Sequence, residues 1–211
     1  MDRTAVSLCK AIQGSNLGFV QSDEISILLT DFATIDTAAW YDNNLQKIVS
    51  VAASLATMAF NKAAAEVGFD NTATFDARAF TIPDREEVLN YFIWRQQDAV
   101  RNSIQAVAQS LYSPKELHGK NSSDLQEMMF AKGVNWSEDF VPRCKRGSAI
   151  VKTYIPGGCE AGPRSIWIAD PETPVFTKDR DYLSRRIPVL GYGTEKEPVA
   201  TLDPVPGPSH S

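Results

Sequence analysis

Asp23 and Glu24 are the residues in this chain best placed to do chemistry. They sit in Gly18-Phe19-Val20-Gln21-Ser22-Asp23-Glu24-Ile25-Ser26-Ile27-Leu28-Leu29, where two apolar arms flank a polar centre. Carboxylates are the oxygen ligands that Mg2+ prefers. Neighbouring side chains on a strand point to opposite faces, so only one of the two can aim at a given point. The other supports it or faces away. Taken alone, an Asp-Glu pair in a polar turn is ordinarily just a turn.

Other chemistries have little to draw on. His118 and His210 are the two histidines, and a Ser-His-Asp or Cys-His mechanism would have to use His118 with no partner signalled beside it. Cys9, Cys144 and Cys159 are widely spaced. They lack the close pairs of a zinc site and fit a reducing cytoplasm better than a disulfide framework. The chemistry therefore rests on carboxylates and basic residues. Arg143, Lys145 and Arg146 are the densest basic cluster before the tail. They are the best candidates for an RNA phosphate-backbone patch, although strands often carry flanking charge for solubility alone.

The elements that must position these groups can be read from periodicity. Residues 2–13 predict a short helix, with Ala5, Leu8, Cys9 and Ile12 on one stripe and Gly14 as its stop. Alternation at Ile25, Ile27 and Leu29 predicts a hairpin bending at residues 21–24. A lone hairpin is marginal in water, so later chain must pair with it. Residues 44–67 predict a long alanine-rich helix closed by Gly68, with Lys47 in its first turn. Thr72 to Ile82 alternates as a strand, with Asp76 and Arg78 on one face as an ion pair and Pro83 as its end.

Asp84 predicts the N-cap of a helix over 85–111, with Val88, Phe92, Arg95 and Ala99 on one stripe. Arg95 and Asp98, three apart, are neighbours on its surface. Ser123 and Gln126 suggest a capping box for a helix to Lys132. Residues 134–143 read as irregular, and Ser148 to Ile155 as a strand. The order predicts an α+β fold, an antiparallel sheet with helices packed on one side. Its bounds are a main domain over 1–155, an extension or arm over 156–190 and a flexible tail over 191–211.

The motifs have a wider context. Gln21 to Ser26, Phe75-Asp76-Ala77-Arg78, Tyr91 to Asp98 and Leu117-His118-Gly119-Lys120-Asn121 occur in an order that resembles the tRNA-His guanylyltransferase family. The similarity is nearest to its guanylyltransferase-like branch in bacteria and phages, and runs from about Ala5 to about Lys152. The resemblance implies a palm-type sheet like that of DNA polymerases, and a nucleotidyltransferase adding nucleotides to the 5′ end of tRNA in the 3′–5′ direction. It implies ATP and GTP as substrates, and a two-metal Mg2+ site with Asp23 as a ligand and Glu24 secondary. It also implies Ser22, Lys47 and Lys120 as nucleotide contacts, and a homo-oligomer, by family a tetramer. Where the guanylyltransferases proper carry a His-Ile-Asn-Asn run, this chain has Val100, Arg101, Asn102 and Ser103. That departure places it with the guanylyltransferase-like branch. The family's Asp-Gly-Arg motif, which bears another metal-binding aspartate on a strand before the hairpin, does not occur in residues 1–211. The expectation is a sheet short of that strand, prone to associate and inactive by itself. The alternatives are an RNA-binding fragment without catalysis, or another palm-type nucleotide enzyme such as a cyclase.

Composition sets the outer limits. With 211 residues and 43% hydrophobic content the chain can bury a real core. A net charge of −5 gives no global attraction to RNA, so any RNA partner needs a local patch. The pattern predicts no apolar run long enough to span a bilayer, and no signal-peptide core at the start.

Overall fold

The computed structural model describes residues 1–32, 34, 36–155 and 164–189. The expected tail over 191–211, and Cys159, lie outside the described residues. Four strands form one antiparallel sheet: β1 (Ser15–Gln21), β2 (Glu24–Leu29), β3 (Ser148–Ile155) and β4 (Arg164–Ala169), in the order β2-β1-β3-β4. The hairpin β1–β2 pairs Gln21 with Glu24 and Gly18 with Ile27. The partner it needs comes from β3, which sets Gly18 against Ile150.

Helices cover both faces of this sheet rather than one. On the first face, Leu17, Phe19, Leu28, Ala149, Val151 and Ile168 meet α3 (Arg85–Leu111) through Val88, Leu89, Phe92 and Ile93. The same cluster takes in Phe176 and, from α8 (Arg180–Ser184), Tyr182 and Leu183. Residues 164–187, expected as an arm, thus supply an edge strand and part of the main core. The Tyr182 hydroxyl donates to Asp170 at 2.5 Å, and burial pushes its pKa up.

On the second face, Val20, Ile25, Ile27 and Ile150 meet Ala5 and Cys9 of α1 (Asp2–Ala11). The period of two in the strands makes both faces apolar, which a sheet needs to be covered twice. Close approach of α1 depends on Gly18: a Cβ there would lie 2.9 Å from both the Cys9 sulfur and Ile150 Cβ. Burial pushes the Cys9 thiol up to about 12, so it is a packing residue and not a nucleophile.

One helix and one predicted strand depart from the expected pattern. α2 (Leu45–Ala65) packs on α1 through Ala56, against Leu8 and Ile12. It is long and apolar enough to cross a membrane by length and composition, contrary to the expectation of no such run. Its many alanines raise the average while Ala56 and Ala64 are its only fully buried residues. The predicted strand at 72–82 is not in the sheet. It runs as extended chain along α2, where Ala73 N–H donates to Asn61 (2.9 Å), Phe75 N–H donates to Thr57 (3.0 Å), and the Phe75 and Phe60 ring centres lie 5.4 Å apart. Side-chain amides and hydroxyls satisfy its backbone in place of a neighbouring strand. Asp76 and Arg78 do pair, at 3.3 Å, but in water, where such a pair adds little.

The C-terminal half of α3 carries a second small core. Ile104 and Ala108 meet Leu125 and Met129 of α5 (Ser122–Ala131). Its capping box is Asn121 with Asp124, two residues earlier than the expected Ser123 with Gln126. Between α3 and α5 lies a short α4 (Pro114–Leu117). The stretch read as irregular contains α6 (Trp136–Asp139) and leads into α7 (Pro142–Arg146).

Candidate functional site

The hairpin turn consists of Ser22 and Asp23 between the paired residues Gln21 and Glu24. Ser22 has φ +47, a left-handed conformation that two-residue hairpin loops usually assign to glycine. Such an outlier is kept only where its surroundings enforce it. The enforcement is visible at both ends of the turn.

At the Glu24 end, the carboxylate accepts from Arg95 of α3 and from the Gln21 side-chain amide at 2.8 Å. Arg95 is also 3.6 Å from Asp98, and Arg101 donates to the other Asp98 oxygen at 2.9 Å. Asn102 adds a bond to Asp98 at 3.3 Å. The Gln21 amide reaches Asp98 at 3.5 Å, while its carbonyl oxygen is buried with no partner. Nearby, Ser26 of β2 and Tyr91 of α3 share a hydrogen bond of 2.9 Å. The turn is thus clamped to α3 by a chain of alternating charge.

This arrangement separates the two carboxylates. Glu24 is neutralised by Arg95, whose side chain is only 11% exposed. Asp23 stands exposed at the tip, without an ion pair or side-chain hydrogen bond among the described residues. The donor set fits one Mg2+ ligand, since Mg2+ is commonly held by one or two carboxylates and substrate phosphates. It does not fit a two-metal site: no group of three or more His, Cys, Asp or Glu gathers among the described residues.

The basic candidates are dispersed. Lys47 is exposed at the start of α2, its ammonium 4.6 Å from the Tyr41 ring centre. Lys120 is exposed in the loop before α5. α2 belongs to the layer on the α1 face and α5 to the layer carried by α3, and neither lysine is bonded to the turn among the described residues. The cluster at 143–146 is already engaged. Arg143 holds Asp2 in two bonds of 2.5 and 3.0 Å, which raises its pKa. Lys145 donates to the Ser137 carbonyl at 2.5 Å and Arg146 to the Thr173 carbonyl at 2.8 Å. These three residues staple α7 to the rest of the fold, and the carbonyl bonds of Lys145 and Arg146 leave their charges in place.

Residues 1–83 match the family described as tRNAHis guanylyltransferase. A solved bacterial tRNA(His) guanylyltransferase-like protein in complex with ATP is 44% identical, with a TM-score of 0.78 over 88% of this chain and 76% of that one. The chain belongs to the tRNA-His guanylyltransferase family. A guanylyltransferase-like structure in complex with GTP is 42% identical, with a TM-score of 0.74 over 88% and 75% of the two chains. A probable tRNA(His) guanylyltransferase of Dictyostelium discoideum is 26% identical over 170 residues, 74% of this chain. The chain spans 64% of that relative's length, and 56% of an uncharacterised mimivirus protein that is also 26% identical.

The motif order exposed the family, and the turn with Asp23 and Glu24 stands where the alternation put it. What sequence reasoning missed is the link from the Arg95–Asp98 pair, which the spacing named, to Gln21 and Glu24 of the turn. One signal was present: Arg95 falls on the apolar stripe of α3, where a charge must find a partner. Periodicity could not name that partner, because Glu24 lies 71 residues away.

Proposed function

We propose that the chain is a nucleotidyltransferase that adds nucleotides to the 5′ end of tRNA in the 3′–5′ direction, using ATP and GTP. The observation that carries this reading is the clamped turn, which holds Asp23 free in water beside a neutralised Glu24. ATP and GTP in the two guanylyltransferase-like structures support the nucleotide class. Phosphoryl transfer asks a protein mainly for positioning and charge. Asp23 would hold one Mg2+, which when bound draws charge from the phosphate oxygens. Ser22 would face the nucleotide beside it. The test is incorporation of labelled GTP into a 5′-truncated tRNA by the purified chain, with intact tRNA as control. Incorporation would overturn the expectation that the chain is inactive by itself, and no incorporation with either would overturn the transferase reading.

Lys47 and Lys120 are assigned to the phosphates as mobile point charges. Alanine at either should weaken nucleotide binding by about two- to fivefold, the scale of one partly screened charge contact, and leave the melting temperature unchanged. Calorimetric titration with GTP checks this, and normal binding by both variants would return them to solvated surface.

A second reading has one observation in its favour. Asp23 is the single unengaged carboxylate that the hairpin brings, which suits an RNA-binding domain without turnover. RNA binding by a chain that incorporates nothing would favour it.

We also propose a homo-oligomer, as the family resemblance implies. Leu45 and Met58 of α2 and Phe69 beyond it are 57%, 64% and 49% exposed, and exposed apolar side chains of this size are what a contact face uses. Sedimentation at the mass of one chain would remove this assignment. Transfer into lipid vesicles would reassign the face to a membrane surface.

A further inference from the structure

The groove between α3 and α5 is unassigned by anything above. It encloses about 570 Å3 and adjoins the clamp, since Trp94 and Arg101 on its wall flank Arg95 and Asp98 in α3. Its polar lining is Gln97, Arg101, Ser122, Gln126 and Thr177, and no carboxylate lines it. Val100, Ile104 and Val175 form its apolar floor. The wall at 174–176 is fixed by Gln96, whose amide donates to the Pro174 carbonyl at 2.8 Å and accepts from Phe176 N–H at 2.7 Å.

Trp94 is 51% exposed, an unusual cost for the largest apolar side chain unless the face is used. The Arg95 guanidinium lies 4.7 Å from its ring centre, so one side of the indole is backed by a cation. Through Gln126 the groove continues into a smaller one of about 300 Å3, lined by Phe130 and Trp136. Phe130 is 69% exposed, and the Lys145 ammonium lies 5.8 Å from the Trp136 ring. Aromatic faces therefore recur along a track with neutral donors and spaced cations between them.

We infer that this track binds a single strand of RNA, with one base stacked on Trp94 and its phosphate near Arg101. The inference rests on the proposed action at RNA 5′ ends. Single-strand sites combine stacking platforms with cations that follow the backbone. Each nucleotide brings one phosphate charge and one π-face, which matches one arginine beside one indole. A nucleoside triphosphate concentrates its charge and would want the cations clustered, which they are not. Arg101 is shared with Asp98, so it remains a directional donor without making the groove strongly basic. Glu127 on the smaller groove argues for neutral contacts there and for the phosphate at the larger one. Lys145, although bonded to the Ser137 carbonyl, keeps its charge beside this track.

The test uses the full chain and a fluorescein-labelled oligouridylate, read by anisotropy, with 4-thiouridine cross-linking to locate the contact. Trp94→Ala should weaken binding by about tenfold or more, the scale of one lost base–aromatic stack. Trp94→Phe should keep most of the affinity, and circular dichroism should show both variants folded. Arg101→Gln should flatten the salt dependence of binding by about 0.7 of a unit of log–log slope, as expected for one lost phosphate contact on a single strand. Cross-links should map to α3 or α5. Unchanged binding by Trp94→Ala, cross-links elsewhere, or no binding by the wild-type chain would overturn the inference. Burial of Trp94 that grows with protein concentration and without RNA would do the same, giving the groove to a second copy. Incorporation with Trp94-independent RNA binding sinks this inference alone. Trp94-dependent binding without incorporation sinks the transferase reading alone.

Discussion

Replacing Asp23 with alanine is expected to cut nucleotide addition by at least about a hundredfold, the scale of losing one preorganised electrostatic contact at a transition state. The fold should hardly notice. Asp23 is exposed and unpaired at a turn tip, and such substitutions ordinarily change stability by less than about 0.5 kcal/mol. Glu24→Ala makes the informative contrast. Removing Glu24 leaves Arg95 with Asp98 alone and frees the end of the turn, so it should cost stability as well as rate. Labelled-GTP incorporation and thermal melts on both variants separate the two roles. Full turnover by Asp23→Ala would show that this carboxylate is not at the reacting phosphates.

Arg95→Leu should destabilise the protein by about 1–2 kcal/mol, below the range for leaving a buried charge unpaired. The smaller figure applies because Glu24 remains 59% exposed and can recover water, whereas Arg95 is nearly enclosed. The loss is directional. Without the guanidinium, Glu24 and Asp98 both face the Gln21 amide with no cation between them. Like charges there would push the turn away from α3, so transfer should fall even where the variant is fully folded. Urea unfolding gives the stability change, and incorporation well below the melting temperature gives the rate. A double-mutant cycle with Glu24→Gln should show strong coupling. Additive effects would mean that Arg95 merely packs under Trp94.

How much of this was legible beforehand depended on the range of the forces involved. α1, the hairpin, α3 and β3 were legible because each carries its own period and its own stop. The site was legible where it is local, at the Ser22-Asp23-Glu24 turn. The 72–82 segment misled because alternation records only that one side is buried, and here that side meets α2 instead of a sheet. The second covered face was hidden for a related reason. Ile25, Ile27 and Leu29 announced one apolar side, while the opposite side declares itself through Leu17, Phe19 and Val151 on other strands. The bonds of the basic cluster at 143–146 could not be read beforehand, because its partners, Asp2, Ser137 and Thr173, are set by tertiary folding.

α3 has 27 residues and a length of about 40 Å. Its first half lies in the core under the sheet and its second half in the separate cluster with α5. One rod therefore spans two cooperative units of unequal size. The smaller unit, resting on a few side chains such as Leu125 and Met129, can open while the sheet stays closed. Amide protons of α5 would then exchange with solvent well before those of β1 and β3. Because Trp94 and Gln126 stand on opposite banks of that boundary, anything that grips both would slow the opening and be felt along the whole rod.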